Sequence, residues 1–263
     1  MQSHQIICGN SFRNLADDYL DEDKQFIDLR SKPQTIFVKT DYIDAFKNKV
    51  LPAIDYNFQI ITHNSDYPVP LDRKAMDLLE DSRLLKWFGM NTDAIHKKLQ
   101  PIPIGIANEK WPHGNKRELI EATSSNIDKT DLVYSNYSIE TNPNQRNRTT
   151  VILQSKNFIT IDKNRYPFLQ YLKTLKKFKY VICPAGNSID CHRFWEALYM
   201  GVVPIIEAHI AMEFFYDLPV LVVNTFEDLT EELLQISYSN IIKRSNKKML
   251  LSFYKDIICT KSN

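Results

Sequence analysis

The stretch that decides the fold runs from Tyr180 to Ile206 and reads YVICPAGNSIDCHRFWEALYMGVVPII. Its first residues belong to an apolar run of strand length, Lys179–Cys183. A short loop, Pro184–Asp190, that contains proline and glycine follows. A helical pattern, His192–Met200, follows and stops at a glycine, and a second apolar run, Val202–Ile206, comes next. The order strand, loop, helix and strand predicts a parallel sheet covered by helices.

The same alternation extends over most of the chain. Further strands are predicted at Thr35–Val38, Phe58–Ile61, Leu132–Tyr134 and Val220–Val223, with an edge strand at Pro101–Gly105. Helices are predicted after Thr40 or Asp41, with Ile43, Phe46 and Val50 at helical spacing, and at Arg73–Asp81, Gln145–Gln154 and Asn240–Tyr254. A polar, linker-like stretch, Ala122–Thr130, divides these runs. We therefore predict an α/β protein with two doubly wound, Rossmann-like domains facing a cleft: residues 1–125, residues 126–240 and a C-terminal helix at 241–263.

Composition narrows the classes of partner. The chain has 263 residues and a formal net charge of +1, because 33 Lys and Arg balance 32 Asp and Glu. That balance gives no electrostatic reason to expect nucleic acid as a partner. No segment approaches the ~20 apolar residues of a membrane span, and the N-terminus lacks the pattern of a secretory signal. The four cysteines show no C-x-x-C spacing, so reduced thiols and a cytoplasmic location are expected.

The loop and helix of the deciding stretch carry residues suited to a nucleotide. Backbone amides of the loop and the start of the helix attract an anion such as a diphosphate. Arg193 can add a planar, bidentate phosphate contact, and Glu196, one turn later, can accept both hydroxyls of a ribose. The alternative interpretation is a surface ion pair between Arg193 and Glu196.

The whole stretch resembles the exostosin-like glycosyltransferases, in particular compact members from bacteria and large algal viruses. Three segments stand in register with the motifs of that family: Cys183-Pro184-Ala185-Gly186, Arg193–Leu198 and Gly201–Ile205. Ala185 departs from the family, which often has Arg there, so one contact is missing or is supplied by Arg146 or Arg148. A weaker likeness covers Leu132–Ser138 and Arg146, taken as the first strand and loop of the donor-binding domain.

The resemblance implies a GT-B glycosyltransferase that is inverting and takes a sugar from a nucleotide-sugar, with UDP as the preferred nucleotide and UDP-xylose as a first guess. The sugar, a hexose or a pentose, would pass to a hydroxyl of a glycan or glycoprotein acceptor held by the N-terminal domain. The nucleotide-sugar is a substrate, so no cofactor is expected. Donor-binding residues are then Ser138, Arg146, Pro184, Gly186, Asn187, Ser188, Asp190, His192, Arg193 and Glu196.

An inverting transfer needs a general base at a strand end of the N-terminal domain. Asp66 and His63 are the first candidates and Asp41 is the third, whereas an Asx turn before Pro68 is the alternative role for Asp66. No metal is expected: the only Asp-x-Asp triplet, Asp21–Asp23, is taken as a solvated helix face.

Two other functions stay open. A non-catalytic module that binds a sugar or a nucleotide could have the same fold. A sugar-nucleotide epimerase that uses NAD is disfavoured, because the chain has no Gly-x-Gly-x-x-Gly motif.

Overall fold

A computed structural model describes residues 2–259 of the chain. Their contacts divide them into two compact units. Residues 7–104 with 254–259 form the N-terminal unit, and residues 2–6 with 105–253 form the C-terminal unit. Each unit is built on a five-stranded parallel sheet within the described part of the chain, as the α/β prediction requires.

The N-terminal unit has its strands in sequential order. They are β1 (Asp18–Leu20), β2 (Thr35–Lys39), β3 (Phe58–His63), β4 (Leu84–Met90) and β5 (Leu99–Ile102), and they lie in the order β1-β2-β3-β4-β5. Parallel crossovers that always step the same way along a sheet place their connections on one face. The strand order never reverses here, so this unit is not doubly wound, and the sequence prediction was wrong on that point.

Helices of the N-terminal unit are short. They are α1 (Gly9–Arg13), α2 (Ile43–Ala45), which a π turn over Phe46–Val50 extends, and α3 (Met76–Glu80). The core lies against the sheet and includes Ile36, Phe58 and Trp87, all with no exposed surface. Trp87 satisfies its buried indole by donating to the Thr62 hydroxyl over 2.8 Å. The edge position predicted for the proline-containing β5 is confirmed.

The C-terminal unit contains the longer helices. Its strands are β6 (Asp131–Ser135), β7 (Ile159–Ile161), β8 (Phe178–Ile182), β9 (Val203–Glu207) and β10 (Leu221–Val223). Its helices are α4 (Lys116–Ser124), α5 (Pro143–Gln154), α6 (Phe168–Leu175), α7 (His192–Tyr199) and α8 (Glu231–Ile241), and α9, the last helix among the described residues, covers Leu251–Cys259. Gly201 follows α7 with a φ of +63°, a left-handed conformation that ends helices and that glycine adopts without strain.

Strand order in the C-terminal sheet reverses once. The order is β10-β9-β8-β6-β7, so the chain first adds β7 on one side of β6 and then adds β8, β9 and β10 on the other. This is a doubly wound sheet with its switch point between β6 and β8. Ligands of such sheets bind outside the carboxyl ends of the strands at that point, which here means the loops after Ser135 and after Ile182.

Helix α4 explains why the contacts place the unit boundary at 104/105 instead of 125/126. It packs against α6 and α7 of the C-terminal unit. Lys176 donates to the carbonyls of Ala122, Thr123 and Ser125, which satisfies the end of α4. The polar composition after Ala122 marks this helix end and not a division between domains.

Two further expectations differ from the structure. The helix predicted over Asn240–Tyr254 is two helices, since α8 ends at Ile241 and α9 begins at Leu251. The Asp21–Asp23 triplet lies in a turn after β1, where the buried Asp21 accepts hydrogen bonds from the backbone of Asp23 and Lys24 and pairs with Arg13 at 2.8 Å. None of the helices in residues 2–259 combines the length and the apolar character needed to cross a bilayer.

Candidate functional site

The β8–α7 loop, residues 183–191, lies at the switch point of the C-terminal sheet. Cys183 continues β8 by donating its backbone N–H to Ile205 on β9. The loop then folds on itself, because the N–H of Gly186 donates to the carbonyl of Ser188 over 2.9 Å. The buried Asp190 accepts from the indole of Trp195 over 2.8 Å, which fixes the end of the loop to α7. Asp190 is therefore an anchor for the helix, whose N-cap is Cys191.

Side chains from the start of α5 hold this loop by its carbonyl groups. Arg146 donates from Nη2 to Pro184 over 3.2 Å and from Nε to Ala185 over 2.9 Å. Asn142, the N-cap of α5, donates to the carbonyl of Gly186 over 3.2 Å. Three consecutive carbonyls of the loop are thus satisfied by one helix. We call these contacts, with the one to Ser138 described next, the α5 clamp.

Arg146 also reaches the loop that follows β6. Its Nη1 donates to the carbonyl of Ser138 over 2.6 Å, and its guanidinium lies over the ring of Tyr137, 5.5 Å from the ring centre. Only 4% of Arg146 is exposed. The predicted donor residues Ser138 and Arg146 are therefore in contact. The hydrogen bonds of Arg146, however, join the two loops at the switch point to each other, and we call this connection the Arg146 brace.

Gly186 permits this close approach of the Arg146 guanidinium. A Cβ at that position would lie 2.8 Å from Nη2 of Arg146, closer than real contacts allow. The scarce glycine that the sequence singled out therefore allows the guanidinium to reach the loop.

Arg193 lies in the first turn of α7 with an unsatisfied donor. Its Nε is buried and has no hydrogen-bond partner among the described residues. Burial works against its charge, but the negative charge available on Tyr171, Cys191, Cys183 and Glu196 raises the pKa of Arg193 above its ordinary value. A buried polar group without a partner is costly, so a ligand atom or a water that accepts from this Nε–H would be stabilising.

Glu196 does not form the surface ion pair considered from the sequence. It is 5% exposed, and no ion pair within 4 Å joins it to Arg193 in the described part of the chain. Burial raises the pKa of Glu196 to about 7, against the opposing effect of the Arg193 cation. The carboxyl is thus partly protonated near neutral pH.

A cavity of about 310 Å³ opens beside the β8–α7 loop. It lies at the carboxyl ends of β8, β9 and β10, and its walls are Gln145, Arg148, Cys183, Pro184, Ala185, Ile189, Ile206, Glu207, Ala208, His209, Met212, Asn224 and Thr225. Glu207 is fixed there, since Gln145 donates to its Oε2 over 3.0 Å and the backbone of Phe226 donates to its Oε1 over 3.2 Å. Burial lowers the pKa of His209, which keeps its imidazole neutral at pH 7.

The sequence did not single out Glu207, His209, Asn224 or Thr225. A usable signal was present, because each is a polar residue within three positions after a predicted strand, where doubly wound sheets bind ligands. Arg148, considered as a substitute phosphate contact, reaches the cavity wall and lies 3.8 Å from Glu227.

The remaining predicted donor residues lie on or beside the same loop. Asn187 is exposed at its tip and Ser188 is buried. His192 opens α7, and its Nδ1 donates to the carbonyl of Gly105 over 2.7 Å. The structure therefore brings all ten predicted donor residues to the two loops at the switch point and the first turns of α5 and α7.

Candidates for the general base lie in the N-terminal unit at the ends of β2 and β3. His63 is buried, its Nδ1 accepts from the backbone of Asn64 over 2.7 Å, and its Nε2 donates to the carbonyl of Pro103 over 3.0 Å. With both ring nitrogens engaged, His63 is better suited to a structural role than to proton abstraction. Asp66 is exposed in the loop after β3, and Asp41 is exposed after β2.

Comparison with known proteins gives one family. Residues 126–214, about a third of the chain, match the model of the RXYLT1 C-terminal domain. This stretch contains the α5 clamp, the β8–α7 loop and α7. It supports a relationship of this part of the chain to glycosyltransferases of the exostosin-like xylosyltransferase kind.

Two further comparisons give little additional information about the family or function of the chain. No curated protein matches the sequence. A crystal structure described as the glycotransferase of kitacinnamycin aligns with 86% of this chain and 72% of its own, at 10% identity and a TM-score of 0.38, a similarity too low to support an argument.

The elevated pKa of Glu196 predicts a specific effect of pH on stability. The folded carboxyl binds its proton up to about pH 7, whereas the unfolded one releases it near its ordinary value of 4.5. Between these values the folded state binds more protons than the unfolded state, so Glu196 lowers the free energy of unfolding as pH rises, by roughly 3 kcal/mol in all. Glu196→Gln should therefore gain stability relative to wild type over this interval.

Urea denaturation of both proteins at several values from pH 4.5 to 8 measures this difference. Cys191 interacts with Glu196 and its pKa, about 6, falls in the same interval, so the comparison is repeated with Cys191→Ser present in both proteins. A difference in stability that is the same at every pH would show that the Glu196 carboxyl titrates normally.

Proposed function

We propose that this chain is a glycosyltransferase whose C-terminal unit binds the diphosphate of a nucleotide-sugar at the β8–α7 loop. The observation that carries the proposal is the buried Nε of Arg193, which has no hydrogen-bond partner in residues 2–259, at the switch point of a doubly wound sheet. The match of residues 126–214 to the RXYLT1 C-terminal domain supports the same class of activity.

The charge of the site supports an anionic ligand. Arg146 and Arg193 are close enough for their charges to interact, since burial and the Arg193 cation both lower the pKa of Arg146. The nearest carboxyl, Glu196, is partly protonated at neutral pH. Two buried guanidinium groups therefore lie beside a partly protonated carboxyl and beside Cys191, whose pKa is lowered to about 6. A diphosphate bound at Arg193 would form charge-assisted hydrogen bonds with this cation.

We assign the rest of the donor to the surroundings of the loop. Glu196, on the helix that begins at the loop, would accept the ribose hydroxyls, and its ionisation would be favoured by Arg193. The neighbouring cavity is large enough for a pyranose or a nucleobase, and the fixed carboxylate of Glu207 and the neutral His209 would provide polar contacts in it. Donor selectivity would then depend on Glu207, His209 and Asn224.

Finer points of the proposal rest on the resemblance to exostosin-like enzymes. They are a UDP-sugar donor with UDP-xylose tested first, a GT-B arrangement of the two units, inversion at the anomeric carbon and a glycan hydroxyl as acceptor. The leaving diphosphate would be stabilised by Arg193 and the start of α7 without a metal. Asp66 is the preferred general base, because the ring nitrogens of His63 are both engaged.

The second candidate function is a non-catalytic module that binds a nucleotide or a sugar. The engaged ring of His63 favours it, since this removes one of the two preferred bases. Transfer activity that depends on Asp66 distinguishes the two.

Replacing Arg193 tests donor binding. Arg193→Met retains most of the apolar side chain and removes the hydrogen bonds to phosphate, so the dissociation constant for UDP should rise about 10- to 100-fold, the scale of charged hydrogen bonds. Isothermal titration calorimetry measures this constant. Arg117→Met, which changes an exposed arginine of α4 in the same unit, should bind UDP as wild type does. Equal affinity in the two variants would remove Arg193 from the phosphate site.

Replacing Asp66 tests catalysis separately. Asp66→Asn should reduce kcat for sugar transfer by about 10²- to 10⁴-fold, because the acceptor proton loses its base, while UDP affinity stays unchanged. The matched control is Asp72→Asn, which alters another exposed carboxylate of the N-terminal unit. The assay uses UDP-xylose and other UDP-sugars in EDTA. Full activity of Asp66→Asn would exclude this residue as base.

The same assay tests metal dependence in the wild type. If transfer is absent in EDTA and manganese restores it, a metal-independent mechanism is excluded.

A further inference from the structure

The cavity beside the β8–α7 loop has a fixed carboxylate in its wall. Glu207 is the last residue of β9, and both of its carboxylate oxygens already accept a hydrogen bond, one from Gln145 over 3.0 Å and one from the backbone of Phe226 over 3.2 Å. These two bonds set the plane of the carboxylate. Each oxygen of an ionised carboxylate has about two lone-pair positions, so each of these oxygens retains acceptor capacity. Glu207 therefore offers the cavity two adjacent acceptors and no donor.

His209 brings a donor to the wall of the same cavity. Its Nδ1 accepts from the backbone N–H of Ala211 over 3.1 Å, as the N-cap of the 3₁₀ helix Ile210–Phe215. Because a backbone N–H can only donate, the proton of the neutral ring lies on Nε2. Burial lowers the pKa of His209, which keeps this neutral form at pH 7. The Nε2–H group is then the donor that this ring can give to a ligand.

Apolar side chains form much of the remaining wall. Pro184, Ala185 and Ile189 of the β8–α7 loop contribute one part of it, and Ile206 and Met212 contribute another. The cavity thus combines a pair of acceptors, a donor and an apolar surface within about 310 Å³. Such a combination suits a ring with a polar edge and apolar faces.

The parts of a nucleotide-sugar differ in how well they match this pattern. A phosphate would be repelled by the Glu207 carboxylate, and the cation of the wall, Arg148, lies 3.8 Å from Glu227, which offsets its charge. The base-pairing edge of uracil has one N–H between two carbonyl oxygens, so a carboxylate that faces this edge gains one hydrogen bond and meets two acceptors. A sugar ring carries adjacent hydroxyls that both donate and accept, and its C–H groups can pack on apolar side chains. The sugar is therefore the best match.

The position of the cavity agrees with this choice. The proposed function assigns the diphosphate to Arg193 and the ribose to Glu196, so the nucleoside end of the donor lies at α7. Glu196 is not in the cavity wall, whereas the β8–α7 loop contributes several residues to it. The sugar is bonded directly to the other end of the diphosphate and is the part of the donor that this assignment leaves for the cavity.

We propose that the cavity is the subsite for the transferred sugar of a uridine nucleotide-sugar, with Glu207 and His209 as the residues that determine sugar specificity. Glu207 accepts from two adjacent hydroxyls of the sugar ring, and Nε2 of His209 donates to a further hydroxyl oxygen. Gln145 orients the Glu207 carboxylate, and its neighbour Arg146 holds the β8–α7 loop, so helix α5 positions both parts of the donor site. This inference rests on the proposed function and names the part of the donor that the cavity takes.

Isothermal titration calorimetry of the full chain tests the subsite, with UDP and a panel of UDP-xylose, UDP-glucose, UDP-galactose and UDP-N-acetylglucosamine as ligands. Glu207→Gln should weaken the panel member that wild type binds most tightly by about 10- to 100-fold, the scale of hydrogen bonds to a charged group, and leave the affinity for UDP unchanged. His209→Asn keeps a side-chain acceptor for the N–H of Ala211 and removes the Nε2–H group. It should weaken the same ligand by about 3- to 10-fold, again with unchanged affinity for UDP.

The control is Glu213→Gln, which alters an exposed glutamate of the same unit that is not in the cavity wall and should bind both ligands as wild type does. Equal losses of affinity for UDP and for the UDP-sugar would place the nucleoside in the cavity, and unchanged affinity for both would exclude the cavity from the donor site. Either result overturns the inference. If Glu207→Gln lowers the melting temperature, His209→Asn, which retains the N-cap, decides between these results. A wild-type protein that binds neither UDP nor any member of the panel would contradict the proposed function itself.

Discussion

The hydrogen bonds from Arg146 to three backbone carbonyls are the interaction on which the candidate site depends. They join the loop after β6, through Ser138, to the loop after β8, through Pro184 and Ala185. A guanidinium with 4% exposure is tolerated only if its donors are satisfied, and carbonyl groups satisfy them without neutralising the charge. The brace therefore fixes the shape of both loops and leaves a positive charge in place between them.

The charge of this guanidinium influences the ionisation of the neighbouring groups. Arg193 adds a second cation whose Nε has no partner among residues 2–259, while burial keeps Glu196 partly protonated. Cys191, in the same environment, is pushed towards the thiolate. The acid–base properties of the cluster thus follow from two guanidinium groups held in a low-dielectric site at the switch point. The two guanidinium groups make an anionic ligand the natural occupant of this site.

The sequence predicted those strands, loops and helices whose formation depends on neighbouring residues along the chain. The apolar run, the glycine-containing loop and the helical pattern after Tyr180 located β8, the loop, α7 and its end at Gly201. Strands β1, β4 and β7 were missed. β4 reads LLKWFGM, in which lysine, tryptophan and glycine hide the apolar run of a buried strand. The helix predicted over Asn240–Tyr254 was wrong because two apolar sets at helical spacing lie on either side of a turn.

Properties that depend on packing could not be predicted in this way. The role of Arg146 depends on carbonyls 38 and 39 residues further along the chain, which only the doubly wound strand order brings to it. Glu196 is buried on α7, which packs against β9 and α4, and a sequence pattern that places it one turn from Arg193 is equally compatible with an exposed ion pair. Sequential strand order in the N-terminal unit likewise has no local signature, because each strand and connection looks the same in either topology.

One measurement addresses the central claim that the β8–α7 loop and the Arg146 brace form the nucleotide site. It is a titration of the ¹⁵N-labelled full chain with UDP, followed by NMR of the backbone amides and of the arginine Nε–H groups. The account predicts that the largest shift changes occur in residues 136–146 and 183–196, together with a change in the Nε–H signal of Arg193. Saturable changes confined to residues 7–104, or none at millimolar UDP, would contradict it.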